Sequence, residues 1–263
     1  MTGTVVLIHG LWMNGRSWER WVDRYQERGL EVLAPSWPGM DGDVEALRAD
    51  TSAFDDLGIE AILDHYTEII GGLPEPPVVM GHSFGGAFTQ VLIDRGLGAA
   101  GVAIDPAPVK GMLALPASTL RSGFPILKNP ANRHRAVALT EKEFHYAFTN
   151  TLDEDESREV FERYAVPGPG RVLFEGALAN LAPHSPLTVD FANGDRAPLL
   201  LIAGGVDHVS PQSLTRSNFR HYEESGAVTE FEAFEGRSHY TLGQEGWEAV
   251  ADRAIDWALA AAG

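Results

Sequence analysis

The stretch Gly81-His82-Ser83-Phe84-Gly85-Gly86 follows an apolar run, Pro77-Val78-Val79-Met80, and opens a helix-period segment beginning near Phe84. A G-x-S-x-G pattern at a strand-to-helix corner turns the chain so sharply that only glycines two residues to either side of the serine leave room for neighbouring backbone. Ser83 is thereby expected to stand exposed above the sheet edge. The helix that follows starts just past it, so free N–H groups and a positive dipole end face any negative charge formed there.

Upstream, Thr4 to Ile8 is a continuous apolar run bounded by Gly3 and His9-Gly10, as a central parallel strand covered on both faces requires. Trp18, Trp21, Val22 and Tyr25 then recur at i, i+3, i+4 and i+7, and Gly29 closes that helix. A short strand from Glu31 to Ala34 ends at Pro35-Ser36-Trp37-Pro38-Gly39. Residues 40–54 are acidic and turn-rich, suited to loops and a short helix. Ile59, Ile62, Leu63, Tyr66, Ile69 and Ile70 keep helical spacing until Gly71-Gly72 and the prolines after it. Downstream, the helix after Ser83 stops at Gly96, and Gly101 to Ile104 forms a strand leading to Asp105-Pro106. Pro198 to Ala203, Ser210 to Tyr222 and Val228 to Phe234 read as strand, helix and strand, with Pro211 in a first-turn position. Trp247, Val250, Ala251, Ala254, Ile255 and Ala258 give a final amphipathic helix. That makes six strands with right-handed crossovers.

Between residues 107 and 195 the alternation lapses for longer than a loop in a compact domain allows. This segment is expected to be an inserted helical cap on a core of residues 1–106 and 196–263. Within it, a capping-box pattern from Thr151 to Glu154 precedes the apolar stripe Val160, Phe161 and Tyr164, with Glu154/Arg158 and Glu159/Arg163 at i, i+4.

The 263 residues suit one large α/β domain, and 44 % hydrophobic with 9 % aromatic content is ordinary globular composition. A net charge of −17 argues against nucleic-acid and anionic-membrane partners, which need clustered positive charge. No stretch approaches the roughly 20 apolar residues of a membrane span, and the N-terminus carries no basic leader pattern. With no cysteine, thiol chemistry is excluded, and a cytoplasmic location is the expectation. The nine histidines show no H-x-x-x-H or H-E-x-x-H spacing, and residues 81–86 match neither nucleotide-binding glycine pattern, so neither metal nor cofactor is expected.

Four anchors, Val5-Val6-Leu7-Ile8-His9-Gly10, Gly81-His82-Ser83-Phe84-Gly85, Gly204-Gly205-Val206-Asp207 and Gly236-Arg237-Ser238-His239, span nearly the whole chain. In this order the sequence resembles the α/β-hydrolases, and its start at the His-Gly segment is similar to the compact plant methylesterase and hydroxynitrile lyase branch. The resemblance implies an α/β-hydrolase fold, a mostly parallel six-stranded sheet with helices on both faces.

A serine hydroxyl is a poor nucleophile at neutral pH; it needs an adjacent base, and the base needs a partner that fixes its tautomer. Ser83, Asp207 and His239 supply these in the order expected of an α/β-hydrolase, each just after a strand. Asp105 is the rival acid, because it too ends a strand beside the nucleophile strand. For an oxyanion, Phe84 would give one N–H donor and, by resemblance, Leu11 the other. His9 is expected to brace the oxyanion loop, and the His82 and His208 side chains to point away from the triad. Trp12, Met13, Trp37 and Phe84 are expected to line the sheet edge, and Met112, Leu115, Phe124, Phe144, Tyr146, Phe148 and Phe174 to add cap residues. Trp12, Trp37, Phe124 and Phe148 are the foremost substrate contacts.

The expected activity is a cofactor-independent serine carboxylesterase acting on small-molecule esters with apolar groups. Other uses of the same triad are a cofactor-free haloperoxidase or perhydrolase, a lactonase or other specialised hydrolase, and a slow-turnover ligand-binding receptor. Tyr240 stands next to His239 where a hydroxynitrile lyase of the compact branch would carry lysine, which counts against that lyase.

Overall fold

In the computed structural model, which describes residues 3–113 and 116–263, strand and helix alternate up to residue 104 and again from residue 199. The strands are β1 (Thr4–Ile8), β2 (Glu31–Leu33), β3 (Val78–His82), β4 (Ala100–Ile104), β5 (Ala136–Val137), β6 (Gly168–Pro169), β7 (Leu199–Gly204) and β8 (Thr229–Phe234). The helices are α1 (Glu19–Glu27), α2 (Val44–Ala49), α3 (Ile59–Gly71), α4 (Phe84–Asp94), α5 (Ala117–Leu127), α6 (Glu141–Ala147), α7 (Glu154–Tyr164), α8 (Gly170–Ala177), α9 (Gln212–His221) and α10 (Trp247–Ala262). Six strands form one sheet in the order β2-β1-β3-β4-β7-β8. Every pairing in it is parallel, from Val5 opposite Val32 and Val78 to Leu199 opposite Thr229. The expected α/β-hydrolase architecture is the one observed.

Parallel strands alternate side chains between two covered faces, which is why β1 is apolar from Val5 to Ile8. Val5 and Leu7 join Val78, Met80, Val102, Leu200 and Ile202 against Trp18, Trp21 and Tyr25 of the α1 region and Val250, Ala251 and Ala254 of α10. Val6, Ile8 and Val79 face the other way, onto α3 and α4 through Ile62, Tyr66, Phe88 and Val91. Each large side chain so buried contributes roughly 1.5–3 kcal/mol.

α1 is also fastened by polar contacts to α10 and to the loop before it. Trp21 Nε1 donates to Leu242 O at 2.9 Å and Tyr25 Oη to Ala251 O at 2.7 Å. Arg24 grips Asp252 with two N–H donors at 2.7 and 2.6 Å, and Arg28 reaches Asp256. Half-exposed ion pairs contribute little, about 0–1 kcal/mol each, so the buried aromatics carry most of this contact.

The 107–195 segment holds α5 to α8 and a two-residue antiparallel ribbon, β5 with β6, that periodicity does not signal. Three local expectations are corrected here. The capping box of α7 is Asp153 with Glu156, because Leu152 N bonds Thr149 O and leaves Thr151 in the preceding turn. Arg158 pairs with Asp155 one turn back, and Arg163 with Glu19 at 2.7 Å, in place of Glu154 and Glu159. Pro211 is likewise the cap residue before α9 and not its first turn. Among the described residues no helix is long and apolar enough to cross a membrane.

The loop after β1 is held from below. His9, fully buried, accepts the Trp37 N–H on Nε2 at 3.0 Å, donates from Nδ1 to Gly10 O at 2.9 Å, and stacks on the Trp37 ring with centroids 4.7 Å apart. Burial lowers its pKa to about 3 from 6.5. An unfolded chain therefore takes up a proton below pH 6.5 that the fold refuses, so this residue costs stability as pH falls from 6.5 towards 3. His9→Gln is expected to flatten the acid loss of stability by about 1.4 kcal/mol per pH unit, read from urea unfolding at several pH values in that window. A second expected outcome concerns Gly85, where a Cβ would lie 2.1 Å from Ile8 O. Gly85→Ala should lower unfolding free energy by at least about 3 kcal/mol in the same assay.

Candidate active site

β3 ends at His82 and α4 begins at Phe84, so Ser83 alone makes the turn, with φ 56° and ψ −120°. A left-handed conformation at a residue with a Cβ is strained and survives only where its surroundings over-determine it. Here they do. Ser83 N donates to Ile104 O at 3.0 Å, and Ser83 O accepts from Gly86, Ala87 and Ala107 at 2.9–3.1 Å. A Cβ on Gly81 would lie 2.0 Å from Gly85 O, and one on Gly10 would lie 2.7 Å from Ser83 Cβ. Among the described residues, the backbone N–H groups of Leu11 and Phe84 donate to no other protein group, and both residues line the cavity onto which Ser83 opens.

Two further strand ends bring Asp207 and His239 together. Asp207 Oδ1 accepts from Val209 N at 2.6 Å and Ser210 N at 3.0 Å, closing the turn into α9. Its Oδ2 accepts from His239 Nδ1 at 2.6 Å, with both side chains fully buried. Burial resists charge on each partner: it raises the Asp207 carboxyl to about 7, against the pull of those two N–H donors, and lowers the His239 imidazole to about 3. With the proton on Nδ1, the lone pair of His239 lies on Nε2. That nitrogen is buried and has no partner, and no hydrogen bond joins it to Ser83.

Asp105 does not make the contact to His239 Nδ1, but it is near. Fully buried at φ 44°, it accepts from Gly204 N at 2.5 Å through Oδ1, and its Oδ2 has no partner. Burial, and then the Asp207 charge, push its carboxyl well above the ordinary range. His82 departs from expectation: its ring lies 4.6 Å from that of His239, and its Nε2 donates to His239 O at 2.8 Å. His82, Asp105 and His239 thus offer one nitrogen or oxygen each within 4.8 Å of one another, a metal-type grouping assembled from three strand ends without any local spacing. Each histidine has one ring nitrogen committed to a protein oxygen, His82 Nε2 and His239 Nδ1, while His82 Nδ1 and His239 Nε2 have no partner. His208 turns away as expected, its Nδ1 donating to Tyr146 O.

The Ser83 cavity measures about 90 Å³ and is almost wholly apolar, lined by Leu11, Trp12, Phe84, Leu120, Leu173 and Val209 among others. Of the four foremost substrate contacts, only Trp12 lines it. Trp37 is committed to His9, and Phe148 is buried, parallel to Phe144 at 4.8 Å and edge-on to His239 at 4.9 Å. Phe124 is 63 % exposed and borders a neighbouring groove with Tyr146. Met112 and Phe174 pack into the core instead, and Leu115 lies outside the described residues. Sequence reasoning missed Leu120, Gly123 and Leu127, whose i, i+3, i+7 spacing on α5 is the signal that marks one lining face.

A family model described as the alpha/beta hydrolase family matches residues 5–253. No curated protein matches the chain. Among solved structures, the chain is similar to a monoacylglycerol lipase of Paleococcus ferrophilus, with TM-score 0.67, 20 % identity and coverage of 98 % of this chain and 94 % of that one. It is also similar to an extracellular alpha/beta-hydrolase of a Paenibacillus species, with TM-score 0.69, 21 % identity and coverage of 97 % and 98 %. A pyrethroid hydrolase of Sphingobium faniae gives TM-score 0.65 at 18 % identity, covering 99 % and 98 %. The matched model takes in all four anchor segments as well as the sheet, and on that ground the chain belongs to the alpha/beta hydrolase family.

Proposed function

We propose that the protein is a serine hydrolase of carboxylic esters that uses Ser83, His239 and Asp207. The observation that carries this reading is the fully buried 2.6 Å bond from His239 Nδ1 to Asp207 Oδ2, on the same sheet edge as a strained Ser83 that faces an apolar cavity. The bond leaves the Nε2 lone pair available as a base, and hydrogen bonds of this kind commonly tighten only when substrate is bound.

In the proposed reaction the Ser83 Oγ–H proton passes to His239 Nε2 as Oγ bonds to the ester carbon. The imidazolium so formed is stabilised by Asp207, and the carbonyl oxygen takes up negative charge between the N–H groups of Leu11 and Phe84. These donors face the point where charge develops; losing one such donor costs about 3–4 kcal/mol. His239 then returns the proton to the alcohol oxygen as the C–O bond breaks. Water attacks the acyl-enzyme by the same route. No step requires a cofactor. The 107–195 segment serves as the cap, since α5 and α8 line the cavity. Names of the similar structures, a lipase and a pyrethroid hydrolase, agree with ester cleavage.

Hydrolysis of a p-nitrophenyl ester series tests the assignment. Ser83→Ala should lose at least about 10⁴-fold in kcat/KM with an unchanged unfolding midpoint. Asp207→Asn should lose about 10⁴-fold in kcat, while Asp105→Asn keeps most activity. Undiminished turnover by Ser83→Ala would sink the reading, and the larger loss in Asp105→Asn would transfer the acid role to Asp105.

A further inference from the structure

A second apolar cavity, about 280 Å³, lies beyond Trp12 and is lined by Ala138, Leu139, Phe144, Phe161, Ala165 and Val166. Trp12 lines both cavities. The Ser83 cavity is far below the roughly 300–1,000 Å³ of typical ligand sites, and the second is close to it in size. We propose that the two are arms of one substrate site, the larger taking the alcohol portion of the ester, so that the substrate class is small-acyl esters of bulky apolar alcohols. This inference rests on the ester-hydrolase reading above.

The chemistry decides which arm is which. When the tetrahedral intermediate collapses, the carbon–oxygen bond breaks and His239 gives its Nε2 proton to the departing alkoxide, so the alcohol must lie on the His239 side. The acyl carbon stays beside the N–H groups of Leu11 and Phe84, and both of those residues line the smaller cavity. The larger cavity approaches His239 through two packed aromatic rings, although His239 lines neither cavity. Phe144, part of its wall, stacks on Phe148 at 4.8 Å, and Phe148 touches His239 at 4.9 Å. Phe148 also meets Trp12 edge-on at 6.2 Å. Trp12 and Phe148 therefore form a single aromatic layer between the larger cavity and the reacting groups.

Trp12 is a wall held under constraint. It adopts φ 65°, its Nε1 donates to Val137 O at 3.1 Å, and its carbonyl accepts from Val166 N at 2.9 Å. Arg48 is the one charged residue of the lining. It is exposed, and its guanidinium is held at the rim by Ala165 O and Phe161 O, which leaves the interior apolar. A bulky alcohol that enters past this layer lays the scissile bond between Ser83 and His239, while the Ser83 cavity itself, about 90 Å³, suits a small acyl group.

The test uses acetate esters of methyl, butyl, benzyl and 2-naphthylmethyl alcohols alongside methyl esters of lengthening acyl chains. In the wild type, kcat/KM should rise along the first series and fall along the second. Ala138→Trp and Ala165→Leu fill the larger cavity from two walls. Each should lower the kcat/KM ratio of 2-naphthylmethyl to methyl acetate by about tenfold or more, and should weaken calorimetric binding of 2-naphthylmethanol to a similar extent. Unfolding midpoints show that both variants are folded. A wild type that prefers long acyl chains on small alcohols overturns the assignment, as does 2-naphthylmethanol binding that ignores both fillings. Alcohol binding that responds to the fillings, with no ester turned over, overturns the hydrolase reading and leaves the apolar-alcohol site standing.

Discussion

No side chain fits at Gly81 or Gly85: the backbone of each lies so close to its neighbour that an added Cβ would meet a carbonyl oxygen at 2.0 or 2.1 Å. This approach draws β1, β3 and the start of α4 into one packed corner, and the conformation of Ser83 follows from it. With the serine so fixed, the ends of β4, β7 and β8 deliver Asp105, Asp207 and His239 to the same edge because every strand of the sheet runs in one direction. Parallel pairing is thus what converts four distant sequence anchors into one locus.

Backbone strain is concentrated there as well. Among the described residues, the non-glycine positions with positive φ are Trp12, Ser83 and Asp105, which follow β1, β3 and β4. Each is held by partners on both sides of it, and each faces the cavity or the buried cluster behind it. Stored strain of this kind, about 1–3 kcal/mol per residue, persists only where the rest of the fold compensates. Three buried atoms without a partner lie at the same edge: His82 Nδ1, Asp105 Oδ2 and His239 Nε2. Stability and reactivity are in tension at this edge, and the large twin cores on either face of the sheet resolve it in favour of folding.

The fold was legible because its signals are local. Apolar runs for covered strands, 3.6-residue stripes for helices and glycines at the Ser83 turn can each be read within about ten residues. Ser83, Asp207 and His239 can be named as candidates from sequence because each follows a strand, and strand ends share an edge. Side-chain contacts within the site were not. Trp37 is an aromatic beside a loop and so reads as a pocket residue, but nothing near it in sequence reveals that His9 claims its face. Phe148 looked like a cap contact and is the packing partner of His239. The expectation that His82 points away from the triad fails for the converse reason: its ring turns to the carbonyl of His239, 157 residues away. Such choices depend on which distant surfaces meet, and periodicity carries no information about that.

The clasp between α1 and α10 bears on how the chain is made. Trp18, Trp21 and Tyr25 are synthesised early, yet the side chains that cover them come from the last helix, more than 220 residues later. The part of their sheet face that α10 covers therefore stays open until α10 has been synthesised and has docked. Contacts of such long sequence separation make for slow, late-locking folding and a window of exposed apolar surface. Among the features of this molecule, it is α10 on which the closing of that core waits.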